Sequence, residues 1–509
     1  MGESNRTVRA ITGVTVLMLC TKALAMLRNI IQARVFGAGA DMDLFTLANS
    51  YTVSLFTTIA YAFCVAAVPL FSRQLAKGKD KAFRTANQLL SLTLLVSFGL
   101  CVVLLALNLT GIIPLLIGAQ GEVMFRQCFS VLLITLPIIM VTYLLVALFQ
   151  AMEHYNIQAS LSLLYNVVMC ALLLFVGSRL SLPVFALITA VCWLLQLAMV
   201  FPVSHREQFR FRFTLRGSMA EIPHFFRTAM VTMVTTSVFL LCYLLNTRFA
   251  AGMVDGTASA YYYADKIYEP LATILIYSIG IVMFPKFNQK YEQLPKTEYC
   301  SYVSTVVRNS LLFLIPLSLL LVVFGEPIIR VLFEGGSFDA SATALTGGVF
   351  SAYAIGLAGF FLIDLLSKAY FAMEKNRTPL IVSCVAIVLC LVLNWVFFRF
   401  MPQHTSLLAC GTSFALLCGG VGMYVHFCKA HKVALDWKPL LRGIVLSLVM
   451  LAGVWFAYTR LISGDLGKVA LILRCGVLGI VGLAFYVIAM GRSLPTVEIL
   501  QKLLGRNKR

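Results

Sequence analysis

The residues best equipped for chemistry lie where a membrane helix should not hold them. The first long apolar segment, from about Ala10 to Phe36, carries Lys22, Arg28, Asn29 and Arg34. A Lys or Arg at the middle of a bilayer costs about 3 kcal/mol or more, so a lipid-facing anchor does not keep several. At about 100° per residue, Lys22 and Arg28 point about 120° apart. Lys22 shares a face with Asn29, and Thr21 shares one with Arg28. The result is a broad polar sector, wide enough for one wall of a cavity. Converging cations suit a phosphate or pyrophosphate, because several of them together offset the desolvation of an anion. Within apolar surroundings, a lipid-linked anion fits better than a free ion.

Other spans add polar groups. The eighth begins with Asp265, Lys266 and Glu269, and the second offers Asn49, Ser50, Tyr51, Thr52 and Ser54. The tenth carries Asp364 and Lys368. A blander reading pairs Lys266 with Glu269 and Asp364 with Lys368 across one helical turn, where opposite charges neutralise each other. Arg34 is read as snorkelling to the interface. Lys22 has no acidic residue within a turn and is the strongest functional candidate, with Arg28 next.

Nothing competes as a catalytic centre. The six histidines (His154, His205, His224, His404, His426, His431) lie mostly near span ends. No Walker motif or GxSxG elbow is present, so neither ATP hydrolysis nor acyl transfer is indicated. The fourteen cysteines form no CxxC pair and no metal-ligand spacing with His, and they read as small buried hydrophobes. The expectation is a non-enzyme without metal or cofactor.

These residues sit on a chain built for the bilayer. Of 509 residues, 60% are hydrophobic and 12% charged, and the mean hydropathy is +0.91. Soluble domains are about 25% charged. Apolar stretches of about 20 residues, the length that crosses a core of about 30 Å, recur from end to end. The net charge of +19 therefore reads as loops facing anionic lipid and cytoplasm, not as a nucleic-acid surface. Arg6 and Arg9 precede the first apolar run as in a signal peptide, but Lys22 and Arg28 interrupt it, so an uncleaved first helix is expected.

Fourteen spans are expected, near 10–34, 43–70, 86–112, 123–150, 157–177, 183–204, 223–247, 258–285, 302–325, 341–371, 379–400, 406–427, 440–460 and 469–490. Loops after even-numbered spans are basic. Arg73, Lys77, Lys79, Lys81 and Arg84 follow the second, and Arg206, Arg210, Arg212 and Arg216 follow the sixth. Lys286, Lys290, Lys296, Lys375, Arg377, Lys429, Lys432, Lys438 and Arg442 continue the pattern, and Lys502, Arg506, Lys508 and Arg509 end it. Loops after odd-numbered spans are poor in base. By the positive-inside rule both termini face the cytoplasm.

The chain also repeats. Arg34 and Arg248 each precede a small-residue turn with an acidic residue, and they stand 214 residues apart. Pro69 and Pro285 are displaced by 216, and the triplets Ala151-Met152-Glu153 and Ala372-Met373-Glu374 by 221. Two six-helix lobes in tandem follow. They share one orientation because six is even, which is a transporter architecture with its site at the repeat interface. The expected division is a first lobe over 1–204, a cytoplasmic linker over 205–222, a second lobe over 223–428, two added helices within 429–490, and a basic cytoplasmic tail over 491–509.

The run Lys22-Ala-Leu-Ala-Met-Leu-Arg28-Asn-Ile-Ile-Gln-Ala-Arg34-Val-Phe-Gly-Ala-Gly39, followed by Asp43, resembles the first helix of the MurJ/MviN lipid II flippases. Tyr262-Tyr-Ala-Asp265-Lys266, Leu332-Phe333-Glu-Gly-Gly-Ser-Phe338 and Lys375-Asn-Arg-Thr-Pro379 are similar to that family too. The resemblance spans essentially the whole chain. It implies the fold of the multidrug/oligosaccharidyl-lipid/polysaccharide exporter superfamily. The implied work is moving an undecaprenyl-pyrophosphate-linked peptidoglycan precursor across the bacterial cytoplasmic membrane by alternating access, beside the cell-wall synthesis machinery. By position, Lys22, Arg28 and Lys266 would line the cavity. Asn29, Asp43, Asn49, Asp265 and Glu269 would support or gate it, and the last two helices would form a groove for the lipid tail.

The chain departs from the family where Thr21-Lys22 replaces Ser-Arg, Asn29 replaces Asp, and the second helix reads Thr52-Val-Ser-Leu-Phe-Thr-Thr-Ile-Ala-Tyr61 without cations. Lys neutralises a phosphate without the bidentate fork of Arg. An exporter of another polyprenyl-linked saccharide is therefore the near alternative. A cation-coupled drug or metabolite antiporter is a further one, against which the cationic first helix counts.

Overall fold

The structure is a computed structural model. It describes residues 20–119, 122–154, 157–215, 225–227, 229–230, 233, 237–375, 377–433, 437–461 and 467–491. Arg6, Arg9, the start of the first expected span, most of the linker beyond Leu215 and the basic tail lie outside them.

The described chain is helical. We number its long helices α1 (20–36), α2 (Ala40–Ala76), α3 (Lys79–Leu109), α4 (Val123–Ala151), α5 (Ile157–Val176), α6 (Leu182–Arg206) and α7 (Val238–Ala250). They continue as α8 (Thr257–Gln293), α9 (Lys296–Val323), α10 (Ala340–Ala372), α11 (Arg377–Phe400), α12 (Leu407–Ala430), α13 (Trp437–Leu461) and α14 (Lys468–Met490). Among the described residues ten helices are long and apolar enough to cross a membrane. The pair Ala340–Ile355 and Leu357–Ala372, bent by 44° at Gly356, makes an eleventh. The other expected spans fall on α1, whose expected start is not described, and on the shorter apolar helices α5 and α7. Rows of large apolar side chains stand exposed on α3 (Leu95, Val96, Phe98), α11 (Ile381, Val385, Val388) and α14 (Ile472, Leu473, Val477). In water such patches would drive association. In a bilayer they face hydrocarbon.

Two compact units result. The first runs to Leu240 and takes in Thr247–Tyr262 and Gly335–Phe338. The second comprises Leu241–Asn246, Tyr263–Glu334 and the chain from Asp339 onward. In the first unit α2 packs along α4, which also lies against α3 and α6. In the second, α12 packs on α10 and α11, and α13 joins α9 to α14.

Local chemistry sets several ends. The Asp339 carboxylate accepts from Ala342 N at 2.7 Å and caps α10, satisfying a backbone donor that has no partner within the helix. α4 and α10 both end in the repeated triplet, with Glu153 (φ 70°) and Glu374 (φ 58°) in the left-handed region. α2 and α8 each contain one turn of π-helix, Ser50–Ser54 and Thr273–Tyr277. In α2 the Thr52 hydroxyl donates to Ala48 O at 2.6 Å, competing with the backbone ladder at that turn. In α8 the π turn follows Pro270, which removes a ladder donor.

Candidate functional site

Two of the expected residues, Arg28 and Asn29, meet within the first unit, on α1. Arg28 Nη2 donates to the Asn29 side-chain oxygen at 2.9 Å. Its guanidinium carbon lies 5.1 Å from the centre of the Tyr165 ring on α5, within cation–π range. Asn29 is buried and Arg28 half-buried, and Arg28 Nε is enclosed without a hydrogen-bond partner among the described residues. A buried guanidinium donor left open is a strong demand for an anion, since an unsatisfied charged group costs more than a neutral one. Lys22 is exposed near the start of the described part of α1, and Arg34 is exposed toward its end. The Tyr165 contact had no counterpart in the sequence reading. Neighbours across helices leave no trace in local spacing.

Asp43 lies in the first turn of α2 and is 8% exposed. Its carboxylate accepts from Gly256 N at 2.8 Å and from Ser259 N at 2.6 Å, and the Ser259 hydroxyl donates to it as well. Charge-assisted bonds of this kind are about twice as strong as neutral ones. They fasten the start of α2 to the start of α8.

A second fastening lies nearby in the same unit. The turn Phe333–Phe338 closes on itself, with Gly335 N donating to Phe338 O at 2.9 Å, and Ser337 N donates to Arg34 O at 2.9 Å. Gly336 and Gly37 both have positive φ, and a Cβ on either would strike backbone, the Arg34 carbonyl and the Ser337 carbonyl respectively. Only glycine permits that approach. Arg248, the counterpart of Arg34, donates from Nε to Leu116 O at 2.5 Å. The backbone carbonyl of Arg34 and the side chain of Arg248 thus each hold a neighbouring segment, the first the turn Phe333–Phe338 and the second the short helix Ile112–Ile117.

In the second unit Lys266 Nζ donates to Asp265 Oδ2 at 2.9 Å. Asp265 is buried, Lys266 half-buried and Glu269 exposed. The Lys368–Asp364 pair forms as the spacing suggests. Asn49, in α2 of the first unit, is half-buried at the edge of the π turn.

A neutral network that the sequence reading passed over joins α7, α10, α11 and α12. Asn246 Nδ2 donates to Tyr353 Oη at 2.9 Å and to Thr412 Oγ1 at 2.8 Å, while Asn394 Nδ2 donates to Asn246 Oδ1 at 2.5 Å. Asn246, Asn394 and Thr412 are fully buried. The signal was available: an Asn inside an apolar span demands partners.

Comparison with known proteins agrees with this architecture. The model of a family described as lipid II flippase MurJ matches residues 32–475. A probable lipid II flippase MurJ of Rhizobium meliloti is 24% identical, covering 96% of this chain and 94% of its own length. A lipid II flippase MurJ of Burkholderia cenocepacia is 24% identical, covering 92% of this chain and 95% of its own. A solved structure of lipid II flippase MurJ in an inward closed conformation aligns with a TM-score of 0.77 at 18% identity, over 93% of this chain and 98% of the other. At that identity the likeness bears on the fold alone. A multi-pass helical membrane protein matched by this family's model over most of its length is a transporter, and the chain belongs to the MurJ family of lipid II flippases.

Proposed function

We propose that this chain translocates a polyprenyl-pyrophosphate-linked peptidoglycan precursor, lipid II, across the bacterial cytoplasmic membrane, with both termini in the cytoplasm. The observation that carries the reading is Arg28, a half-buried cation whose Nε lacks a partner among the described residues. Lys22 on the same helix and Lys266 on α8 are the other cations assigned to the pyrophosphate. Each contact of a desolvated cation with a phosphate oxygen contributes about 1.5–3 kcal/mol. Asn29 orients Arg28, and Asp265 holds the Lys266 side chain in place until the substrate competes for it. Glu269 and Asn49 supply the flanking polarity.

Transport by alternating access requires contacts that form in one state and break in another. The Asp43–Ser259 and Arg34–Ser337 fastenings are assigned to the outer gate, and the π turns of α2 and α8 to the bends that let it open. The cell-wall synthesis machinery is the expected neighbour on the receiving side.

The test is complementation in a host depleted of the native protein, with a leaflet assay for accumulated lipid-linked precursor. Lys22→Ala, Arg28→Ala and Lys266→Ala are each expected to abolish complementation while the protein still inserts. Full complementation by both lysine variants would sink the cationic-site assignment. The cation-free stretch Thr52–Tyr61 of α2 favours one competing reading, another polyprenyl-linked glycan. That reading wins if depletion leaves lipid II reaching the outer leaflet and stops a different glycan.

A further inference from the structure

A cleft of about 520 Å³ opens in the second unit between α9, α10 and α13; none of the cationic or gating residues assigned above lines it, and α13 is one of the two helices to which the family resemblance gives the lipid-tail groove. Its walls are largely apolar or small, among them Val322, Gly348, Leu448, Leu451 and Ala452. Its volume is that of an ordinary ligand site. At its edge stands one formal charge, Glu326, in the first turn of the short helix Gly325–Leu332 that follows α9. The backbone here is held closely. A Cβ on Gly347 of α10 would strike the Glu326 backbone, and the Ser351 hydroxyl donates to Val322 O at 2.8 Å. Glu326 is exposed and makes no ion pair among the described residues. Arg330 follows one turn later in the same helix and pairs through Nε with the Glu334 carboxylate at 3.4 Å, and Trp455 and Tyr458 of α13 line the cleft. Trp and Tyr gather where lipid headgroups meet the hydrocarbon.

An apolar cleft that faces the bilayer takes an acyl chain. A carboxylate at its mouth, in a chain of net charge +19, selects a cationic group in that chain's headgroup. We propose that this cleft is a binding site for a phospholipid with a primary-amine headgroup, its ammonium on Glu326 and one chain along Leu448, Leu451 and Ala452. Phosphatidylethanolamine has this chemistry. Phosphatidylcholine lacks the N–H donors, and phosphatidylglycerol lacks the cation. The assignment is independent of which glycan the protein moves.

Native mass spectrometry of the full-length protein, titrated with phosphatidylethanolamine, phosphatidylcholine and phosphatidylglycerol, tests it. The protein is expected to retain phosphatidylethanolamine preferentially. Glu326→Gln is expected to lower that preference about tenfold, the scale of one charge-assisted hydrogen bond. Ala452→Phe, at an exposed position on the cleft wall, is expected to remove chain occupancy without touching the charge. Unchanged preference in Glu326→Gln, or unchanged occupancy in Ala452→Phe, overturns the proposal. So does competitive displacement of phosphatidylethanolamine by undecaprenyl phosphate, which would give the cleft to the substrate's tail.

Discussion

α2 and α8 occupy corresponding places in the repeat. Each has a π turn, and each has a proline 20 residues beyond a polar marker, Asn49 to Pro69 and Asp265 to Pro285. Each also buries a carboxylate, and they answer it differently. Asp43 is met by two backbone N–H groups and a hydroxyl, Asp265 by an ammonium one residue away. Ser259 stands 216 residues from Asp43, the displacement that separates Pro69 from Pro285. With an acidic residue at both positions, two carboxylates would face each other and one would have to take up a proton. Ser259 makes a donor–acceptor pair there instead. A bond to neutral donors fixes backbone geometry, whereas a bond to a mobile lysine fixes charge and leaves the chain freer. One slot serves as a fastening and the other as a charge reserve.

Removing the fastening is the largest perturbation available to this contrast. Asp43→Ala leaves Gly256 N, Ser259 N and the Ser259 hydroxyl without their acceptor in a buried place, at a cost of about 3 kcal/mol or more. A lowered melting temperature together with failed complementation is expected. Asp43→Asn, which keeps one acceptor oxygen, should fall between, and Ser259→Ala should cost only about 1 kcal/mol. Equal losses from Asp43→Ala and Ser259→Ala would mean that the backbone donors contribute nothing.

Gly336→Ala comes next. It forces a side chain into positive φ and against the Arg34 carbonyl, which together cost about 2–3 kcal/mol. Gly99→Ala on α3, where a Cβ meets nothing within 4 Å, is the control and should stabilise by up to about 1 kcal/mol. If thermal melts rank the two alike, the close approach at the turn is not what requires glycine.

How much of this the sequence carries depends on range. Helical class, the cationic face of α1 and the Asp364–Lys368 pair all follow from neighbours three or four residues apart, and periodicity reads such neighbours directly. The repeat could be read because Pro69 and Pro285, and the two Ala-Met-Glu triplets, kept their identity. Tyr165 under Arg28, Ser259 under Asp43 and the Asn246–Asn394–Thr412 network could not be read that way. Each joins side chains on different helices, and no period within one segment encodes its partner. The close contact of Gly336 with Arg34 was hidden for a related reason. Phe333–Phe338 looks like any glycine turn until the chain it touches is in place.

On the charge side the effects should be smaller. Asp265→Asn strips Lys266 of the Asp265 carboxylate, but Lys266 is only half-buried and water can replace part of the bond. A loss of about 1 kcal/mol is expected in melting, with a larger loss in complementation. A melting loss as large as that of Asp43→Ala would erase the distinction between fastening and reserve.

The smallest effect sharpens the contrast from outside the membrane. Just beyond α6, Glu207 accepts from Lys79 Nζ at 2.9 Å and pairs with His154 Nε2 at 2.8 Å. The chain then runs back along α3, where Arg212 N donates to Asn87 Oδ1 at 3.1 Å and Thr214 N to Ser91 Oγ at 3.0 Å. The hydrogen bond from Lys79, then that from His154, holds the Glu207 carboxyl below the usual carboxylate range. Because its folded pKa is depressed, the stabilisation is fully present above the unfolded value of about 4.3 and is lost only as pH falls through the lower folded value. Amide exchange at Arg212 and Thr214, expressed as protection factors, should therefore show no loss of protection as pH falls from about 8 to 5 and a decline in more acid solution. Glu207→Gln should lower protection slightly at neutral pH and flatten the acid decline. Lys79 is half exposed, so solvent screening keeps this ion pair weak. If Glu207→Gln nevertheless matched Asp43→Ala in its effect, burial would not be what separates a strong carboxylate contact from a weak one in this protein.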